Sequence, residues 1–234
     1  MQKTTSNGFS LIEVMVSMVI SGLVISGIYA VYTIQQRTYT VQEQITEMQQ
    51  KIRSAMDFMA RDIRMAGYVA MDGGCSGTSI LTASPTVFEF EYCDDNDDGT
   101  SDKETFRYDL YDANTDGVID LGRQKGGLKR ALAEGVDAIE FLYLDGNGDS
   151  LGTSVAAPAS IRAVRVSLLV RASYPDPRYI DTNTYNPASV GEGVTTSGNW
   201  DINGDNAGSG HPANDNYHRR LLISTIKLRN MGLQ

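Results

Sequence analysis

The chain has 234 residues, of which 41% are apolar, and a formal net charge of −9 at pH 7. Its apolar fraction is ordinary for a folded protein, and its length suits one good-sized domain, or one domain with an appendage. The acidic balance argues against direct binding of nucleic acid, because contact with phosphates needs a surface dense in lysine and arginine.

The chain begins with a short polar segment that leads into a long apolar run. Residues 1–8 read MQKTTSNG, and Glu13 is the one charged residue in the run from Phe9 to Ile34. Since a helix needs about 20 apolar residues to cross the hydrocarbon core of a bilayer, residues 9–34 are predicted to span a membrane. An ordinary secretory signal has a shorter apolar core and a cleavage site of small residues. A charge inside such a segment costs about 3 kcal/mol unless it meets a cation.

Residues Gly8 to Val14, which read GFSLIEV, resemble the N-terminal signature of type IV pilins and pseudopilins. The resemblance implies that residues 1–8 form a leader, that a prepilin peptidase cleaves between Gly8 and Phe9, and that the new amino group of Phe9 is methylated. It also implies that the carboxylate of Glu13 pairs with the terminal ammonium of a neighbouring subunit, which sets the register between helices in a filament. The alternative is a plain signal anchor whose glutamate lies near the membrane interface.

After the apolar run the sequence becomes polar but keeps a helical period. Residues 35–67 are therefore predicted to continue the helix to about Ala66 as an amphipathic half, with Gly67 as its terminator. The apolar residues at spacings of three and four are Val41, Ile45, Met48, Ile52, Met56, Met59 and Ile63. A soluble coiled coil is the alternative for this half, but the β-rich segment that follows needs a cover for its apolar face. The segment FMARDIRMAGY, at 58–68, resembles the helix end of PilW-type minor pilins.

Residues 68–234 are predicted to form a β-rich globular head. Apolar and polar side chains alternate in several segments that Gly, Asp and Asn separate. These segments are 88–92, 106–110, 136–144, 161–171 and 219–229. The predicted class is α+β, with the long helix packed on an antiparallel sheet, and the resemblance implies the same type IV pilin fold. The C-terminal RRLLISTIKLRN is similar to the closing strand of PilW-type proteins.

One segment of the head, residues 173–218, is rich in Pro, Gly, Asn and Thr and has no sustained period. A loop of this length inside a compact domain is usually functional or mobile. On a filament subunit it is a candidate for contact with another minor subunit or an external surface. A tolerated, disordered insertion is the alternative.

Cys75 and Cys93 are the only cysteines in the sequence. Two cysteines are too few ligands for a typical metal site, so the choice lies between one disulfide and two reduced cysteines. If the head is exported, a disulfide is expected, and closing this short loop would add roughly 3 kcal/mol by restricting the unfolded chain. Two buried reduced thiols are the alternative.

Two acidic segments share the pattern D-x-N-x-D-G-x-x-D. The candidate calcium ligands are Asp94, Asn96, Asp98 and Asp102 in the first segment and Asp112, Asn114, Asp116 and Asp120 in the second. Calcium takes about six to eight oxygen ligands, and the Gly permits the sharp turn that brings them together. Position twelve, a bidentate Glu in a full EF-hand loop, is Thr105 in the first segment and Arg123 in the second. Calcium is thus a candidate ligand rather than a required cofactor, and a hairpin turn that needs no ion is the alternative.

The sequence lacks a convincing catalytic constellation. His211 and His218 are its only histidines, and it contains none of the usual nucleophile, phosphate-binding or metalloprotease motifs. We therefore expect no enzyme but a minor pilin that helps to initiate and assemble a type IV pilus, for adhesion, twitching motility or DNA uptake. The alternatives are a minor pseudopilin of a type II secretion system and, more remotely, a signal-anchored periplasmic domain that binds calcium or hydrolyses a substrate.

The resemblance also implies partners and a location. The expected partners are other major and minor pilins through the N-terminal helix, prepilin peptidase, the inner-membrane assembly platform, and membrane lipid before assembly. The expected location is the inner membrane, crossed once, with the N-terminus in the cytoplasm and the head in the periplasm. Assembly would then move the subunit into the pilus filament.

Overall fold

The computed structural model describes residues 8–69, 75, 79–95, 101–194, 200, 202 and 212–231. The predicted leader lies outside the described residues except for Gly8, as do Asn96, Asp98 and the side chain of Asp94. The chain divides into two compact units, Met1–Glu43 and Gln44–Gln234.

A single long helix, α1, runs from Leu11 to Met65 and contributes to both units. Its N-terminal part is long and apolar enough to cross a membrane. The helix ends beside Gly67, whose φ of +74° is one that residues with a side chain rarely adopt. A Cβ at this position would lie 2.6 Å from Sδ of Met231. The predicted extent of the helix and its glycine terminator are therefore confirmed.

The strands form two antiparallel sheets. The first sheet is a meander of five strands, β1 Ile80–Ala83, β2 Phe88–Asp95, β3 Ser101–Tyr111, β4 Asp120–Lys125 and β5 Leu128–Glu134. The second sheet has the order β7-β6-β8-β9, in which β6 is Val136–Leu144, β7 Ser150–Gly152, β8 Ala163–Arg171 and β9 Arg219–Lys227. Gly135, with a φ of +70°, lies where the chain passes from one sheet to the other. The antiparallel arrangement is as predicted, although the sequence pattern indicates only one sheet.

One hydrophobic core joins the second half of α1 to both sheets. Five members of the predicted helical stripe are buried in it, namely Met48, Ile52, Met56, Met59 and Ile63. The ring of Phe88 in β2 lies 5.8 Å from that of Phe141 in β6, so the core is continuous from one sheet to the other. Each of these rings is fully buried, which stabilises the fold by roughly 2–3 kcal/mol per side chain.

Candidate functional site

Glu13 closes the first turn of α1 on itself. The backbone N–H of Ser10, the residue before the helix, donates to Oε2 of Glu13 at 2.9 Å. This is one half of a capping box, the S-x-x-E arrangement in which a glutamate satisfies a free N–H group at a helix start. The carboxylate therefore lies at the positive end of the helix dipole, which offsets part of the cost of a charge in an apolar segment. The S-x-x-E pattern of Ser10 and Glu13 is present in the sequence, so Glu13 has a capping role beside its predicted role in assembly.

The apolar side chains from Phe9 to Ile34 are exposed in the structure. Leu11, Ile25 and Ile34 are between 63% and 78% exposed, and Phe9 is 88% exposed. An apolar surface of this extent requires lipid or other apolar helices. A Cβ added at Gly22 would meet nothing within 4 Å, so that face of the helix is open to close approach.

The two cysteines of the chain form a disulfide in the head. Cys93, at the end of β2, is bonded to Cys75, with 6.2 Å between the Cα atoms. Both cysteines are buried, and Tyr68, just after α1, packs against them. The carbonyl of Tyr68 also accepts the backbone N–H of Cys93 at 2.9 Å. The disulfide thus lies where the helix end meets the first sheet. The structure therefore contains the predicted disulfide and not two reduced cysteines.

Three family models match the chain. The model of the prokaryotic N-terminal methylation motif matches residues 3–29. The model of prepilin peptidase-dependent protein B matches residues 41–135, and that of type IV pilus-assembly protein W matches residues 92–230, more than half of the chain. The chain belongs to the PilW family. Comparisons with curated proteins and with solved structures found no match.

Membership of the PilW family agrees with the resemblance found in the sequence, and it makes the chain a minor pilin related to type IV pili. The methylation motif contains Gly8, Phe9 and Glu13, the three residues to which processing and assembly were assigned. These families point to a structural subunit of a pilus rather than to an enzyme. Of the two histidines, His211 lies outside the described residues and His218 stacks on Tyr179 at 3.9 Å between ring centroids.

The acidic loop between β3 and β4 is held together by hydrogen bonds to its own backbone. Oδ2 of Asp112 accepts the N–H of Gly117 at 3.0 Å, and Oδ1 of Asp116 accepts the N–H of Val118 at 2.8 Å. Asp120 is buried, and its two carboxylate oxygens accept backbone N–H groups at 3.3 and 3.4 Å. Within the described parts of the chain, no three His, Cys, Asp or Glu side chains come together as a metal-binding group. Calcium binding at this loop therefore stays a prediction.

Two parts of the long segment 173–218 are ordered around the buried side chain of Arg219. Its Nε lies 2.6 Å from Oδ2 of Asp137 in β6, and its Nη1 lies 3.1 Å from Oδ2 of Asp181 and 2.6 Å from Oδ1 of Asp215. We call these four residues the Arg219 cluster. Only 2% of the Arg219 side chain and none of the Asp181 side chain is exposed to solvent. We call residues 173–194 and 212–218 the two arms of the segment. Asp181 in the first arm and Asp215 in the second both bind Arg219 in β9, which also binds Asp137 in β6. The described arms are therefore not a disordered insertion.

The three carboxylates of the Arg219 cluster differ in the direction of their pKa shifts. The hydrogen bonds from Arg219 hold the pKa of Asp215 below its usual value. Burial alone would raise the pKa of Asp181, but hydrogen bonds from Asn183, Tyr185 and Arg219 lower it overall. Burial raises the pKa of Asp137 despite its ion pair with Arg219. Sequence patterns could not reveal this cluster, because its members come from three distant segments.

A second cluster of polar side chains, formed by Asp62, Tyr108 and Arg123, joins the end of α1 to the first sheet. The hydroxyl of Tyr108 in β3 donates to Oδ2 of Asp62, and Nε of Arg123 in β4 donates to the same oxygen at 2.6 Å. The guanidinium of Arg123 also lies over the ring of Phe106, 4.6 Å from its centroid. Burial, with the charge of Asp62 as a further cause, raises the pKa of Tyr108, so this hydroxyl stays protonated and keeps donating. Asp62 lies within the segment 58–68 that resembles the helix end of PilW-type proteins.

Proposed function

We propose that the chain is a minor pilin that prepilin peptidase processes between Gly8 and Phe9 and that takes part in the initiation and assembly of a type IV pilus. The observation that carries the proposal is the match to the methylation motif over residues 3–29, together with the exposed apolar part of α1, in which Glu13 is the one carboxylate. The match to type IV pilus-assembly protein W supports the pilus as the system. The other subunits, the peptidase and the assembly platform of the inner membrane are then its partners.

Glu13 has the position that this mechanism requires. Cleavage after Gly8 would create a terminal ammonium at Phe9, four residues before Glu13, in every subunit of the filament. One oxygen of Glu13 accepts the N–H of Ser10, which orients the carboxylate at the helix start. The same carboxylate can pair with the ammonium of a neighbouring subunit, and in a dry filament core such a pair is worth far more than in water. Helices out of register would leave both charges unpaired.

The remainder of the structure supports a location across the inner membrane. The apolar part of α1 suits a bilayer before assembly and neighbouring helices after it. The disulfide between Cys75 and Cys93 suits an oxidising compartment, so the head would face the periplasm. The N-terminus would then lie in the cytoplasm, where the peptidase of the family acts.

The variant Glu13→Gln tests this mechanism, because it removes the charge and keeps the shape of the side chain. We expect the variant to remain in the membrane and to be cleaved, but its incorporation into sheared filaments should fall about tenfold or more, as the loss of 1.4 kcal/mol already gives a factor of ten. The matched control is Glu43→Gln, an exposed glutamate of the same helix. Incorporation of the Glu13→Gln variant at the level of the Glu43→Gln variant would contradict the mechanism.

A minor pseudopilin of a type II secretion system is the alternative function, since pseudopilins share the N-terminal motif. The match over residues 92–230 favours the pilus. A strain that lacks the chain should therefore lose surface pili while protein secretion continues. Loss of secretion with normal pili would assign the chain to the secretion system instead.

A further inference from the structure

Among the described residues, strand β9 forms a long free edge of the second sheet. It has nine residues and pairs with β8 through its whole length without a register shift. The other edge strands among the described residues are β1 with four residues, β7 with three, and β5 with seven and a register shift in its pairing. A long, regular edge is a template for another strand, and proteins usually blunt such an edge with a bulge, a proline or charged side chains. Strand β9 contains no bulge or proline, and its charged residues lie at its two ends, so the middle of the edge carries none of these devices.

The direction of each backbone group in β9 follows from two hydrogen bonds at its ends. The N–H of Leu228 donates to the carbonyl of Arg162 at 2.9 Å, and the N–H of Ala172 donates to the carbonyl of His218 at 2.8 Å. In an antiparallel pair, bonded and non-bonded positions alternate, so the even-numbered residues of β9 bond to β8. The odd-numbered residues turn their N–H and C=O groups to the free edge. These residues are Arg219, Leu221, Ile223, Thr225 and Lys227.

The side chains at this edge are apolar in the middle and basic towards both ends. Ile223 is 43% exposed, although most other large apolar side chains of the head are buried. Arg220, Lys227 and Arg229 are exposed, and among the described residues no carboxylate lies within 4 Å of any of them. Unpaired cations along one edge are notable in a chain whose net charge is −9.

We propose that β9 is a strand-addition site for an extended, acidic segment of another filament subunit. The partner would bond to the backbone of Leu221, Ile223 and Thr225, cover Ile223, and place its carboxylates beside Lys227 and Arg229. Pairing of β9 with the same strand of a second copy is disfavoured, because it would gather the unpaired cations of both copies on one ribbon. The inference rests on the proposed function only in taking another subunit as the partner.

Photo-crosslinking in the assembling host tests the proposal on the full chain. The crosslinking residue p-benzoylphenylalanine replaces Thr225, whose side chain is exposed and whose backbone groups face the free edge. In a control it replaces Leu128, which is exposed on edge strand β5. We expect the Thr225 probe to capture one other subunit at a peptide that contains Asp or Glu, and the Leu128 probe not to capture that peptide. A product that joins two copies of this chain, or capture of the same peptide from both positions, would overturn the proposal.

Two further variants separate the backbone and the charge contributions. Ile223→Pro removes an outward N–H without breaking a bond to β8, and Ile223→Val is its control. The double variant Lys227→Glu, Arg229→Glu reverses the edge charge, and Arg130→Glu on β5 is its control. Each test variant should lower the crosslinked product from Thr225 about fivefold or more, and neither control should. An unchanged product in both test variants would overturn the proposal, while the presence of the chain in filaments, measured separately, reports on the proposed function.

Discussion

Asp62 is the charged residue that lies within the buried face of α1. Only 7% of Asp62 is exposed, and its carboxylate accepts hydrogen bonds from both Tyr108 and Arg123. Removing one partner of a buried hydrogen-bonded pair is strongly destabilising, because the other partner is left without compensation. The helix end is therefore oriented on the first sheet by a contact that tolerates few substitutions.

The variant Asp62→Ala is expected to lower the free energy of unfolding by about 3 kcal/mol. Urea unfolding of the full chain in detergent, followed by circular dichroism, would measure the change. Asp57→Ala is the matched control, since Asp57 is exposed on the same helix and should change the stability by less than about 0.5 kcal/mol. Equal midpoints for the two variants would show that the contact with Tyr108 and Arg123 contributes nothing.

Arg219 forms ion pairs with three carboxylates, and its removal should release the segment that they hold. We expect Arg219→Met to cost about 3–5 kcal/mol and to make residues 173–194 sensitive to limited proteolysis. Arg220→Met, at the exposed neighbouring position, is the control. If the segment resisted protease equally in both variants, the Arg219 cluster would not be what orders it.

The same cluster predicts a dependence of stability on pH. Because the folded pKa values of Asp181 and Asp215 are lowered, their contribution is complete above the ordinary aspartate pKa of about 3.9 and is lost as the pH falls through the lowered values. The raised pKa of Asp137 acts in the opposite direction. We expect the stability of the chain to fall below about pH 4, and less steeply in Arg219→Met, where Asp215 has lost its partner. Parallel curves for the two proteins would contradict this assignment.

At the scale of single elements, the two arms of residues 173–218 show why composition is a weak guide to order. The segment lacks periodicity, yet the backbone N–H of Asp181 donates to the carbonyl of Asp215 at 2.7 Å, and that of Asp176 donates to the carbonyl of Asn216 at 2.7 Å. Bonds of this kind join residues that are far apart in the sequence and leave no local pattern. The contact role predicted for this segment has not been tested.

The acidic loop Asp112–Asp120 is the element on which calcium binding can be decided. Its hydrogen bonds close the turn without an ion, so EDTA should leave the chain folded. Calcium binding, as the sequence pattern predicts, would raise the Tm, because an ion present at 100 times its Kd adds about 2.7 kcal/mol. The rise should be lost in Asp116→Asn and kept in Asp149→Asn. This control lies in the turn between β6 and β7, where Asp145, Asn147 and Asp149 repeat D-x-N-x-D without the following Gly. No rise at millimolar calcium would leave the loop as a hairpin turn.

For the whole molecule, local patterns in the sequence predicted the elements better than their arrangement. The period of α1, its terminator Gly67 and the alternation in β2 and β6 are local features, and the structure contains each of them. The division into two sheets depends on the turn at Gly135, and no repeating pattern marks it. The ion pairs of Arg219 and Asp62 depend on tertiary packing, which brings side chains together from distant segments. The free edge of β9 likewise became visible only from the order of the strands.

Whether the chain is a processed pilin can be decided from the intact mass of the protein purified from host membranes. The comparison is with the same protein from a strain that lacks prepilin peptidase. We expect a chain that begins at a methylated Phe9 when the peptidase is present and an uncleaved chain when it is absent. Retention of residues 1–8 in both strains would mean that the protein is a signal-anchored domain and not a processed pilin.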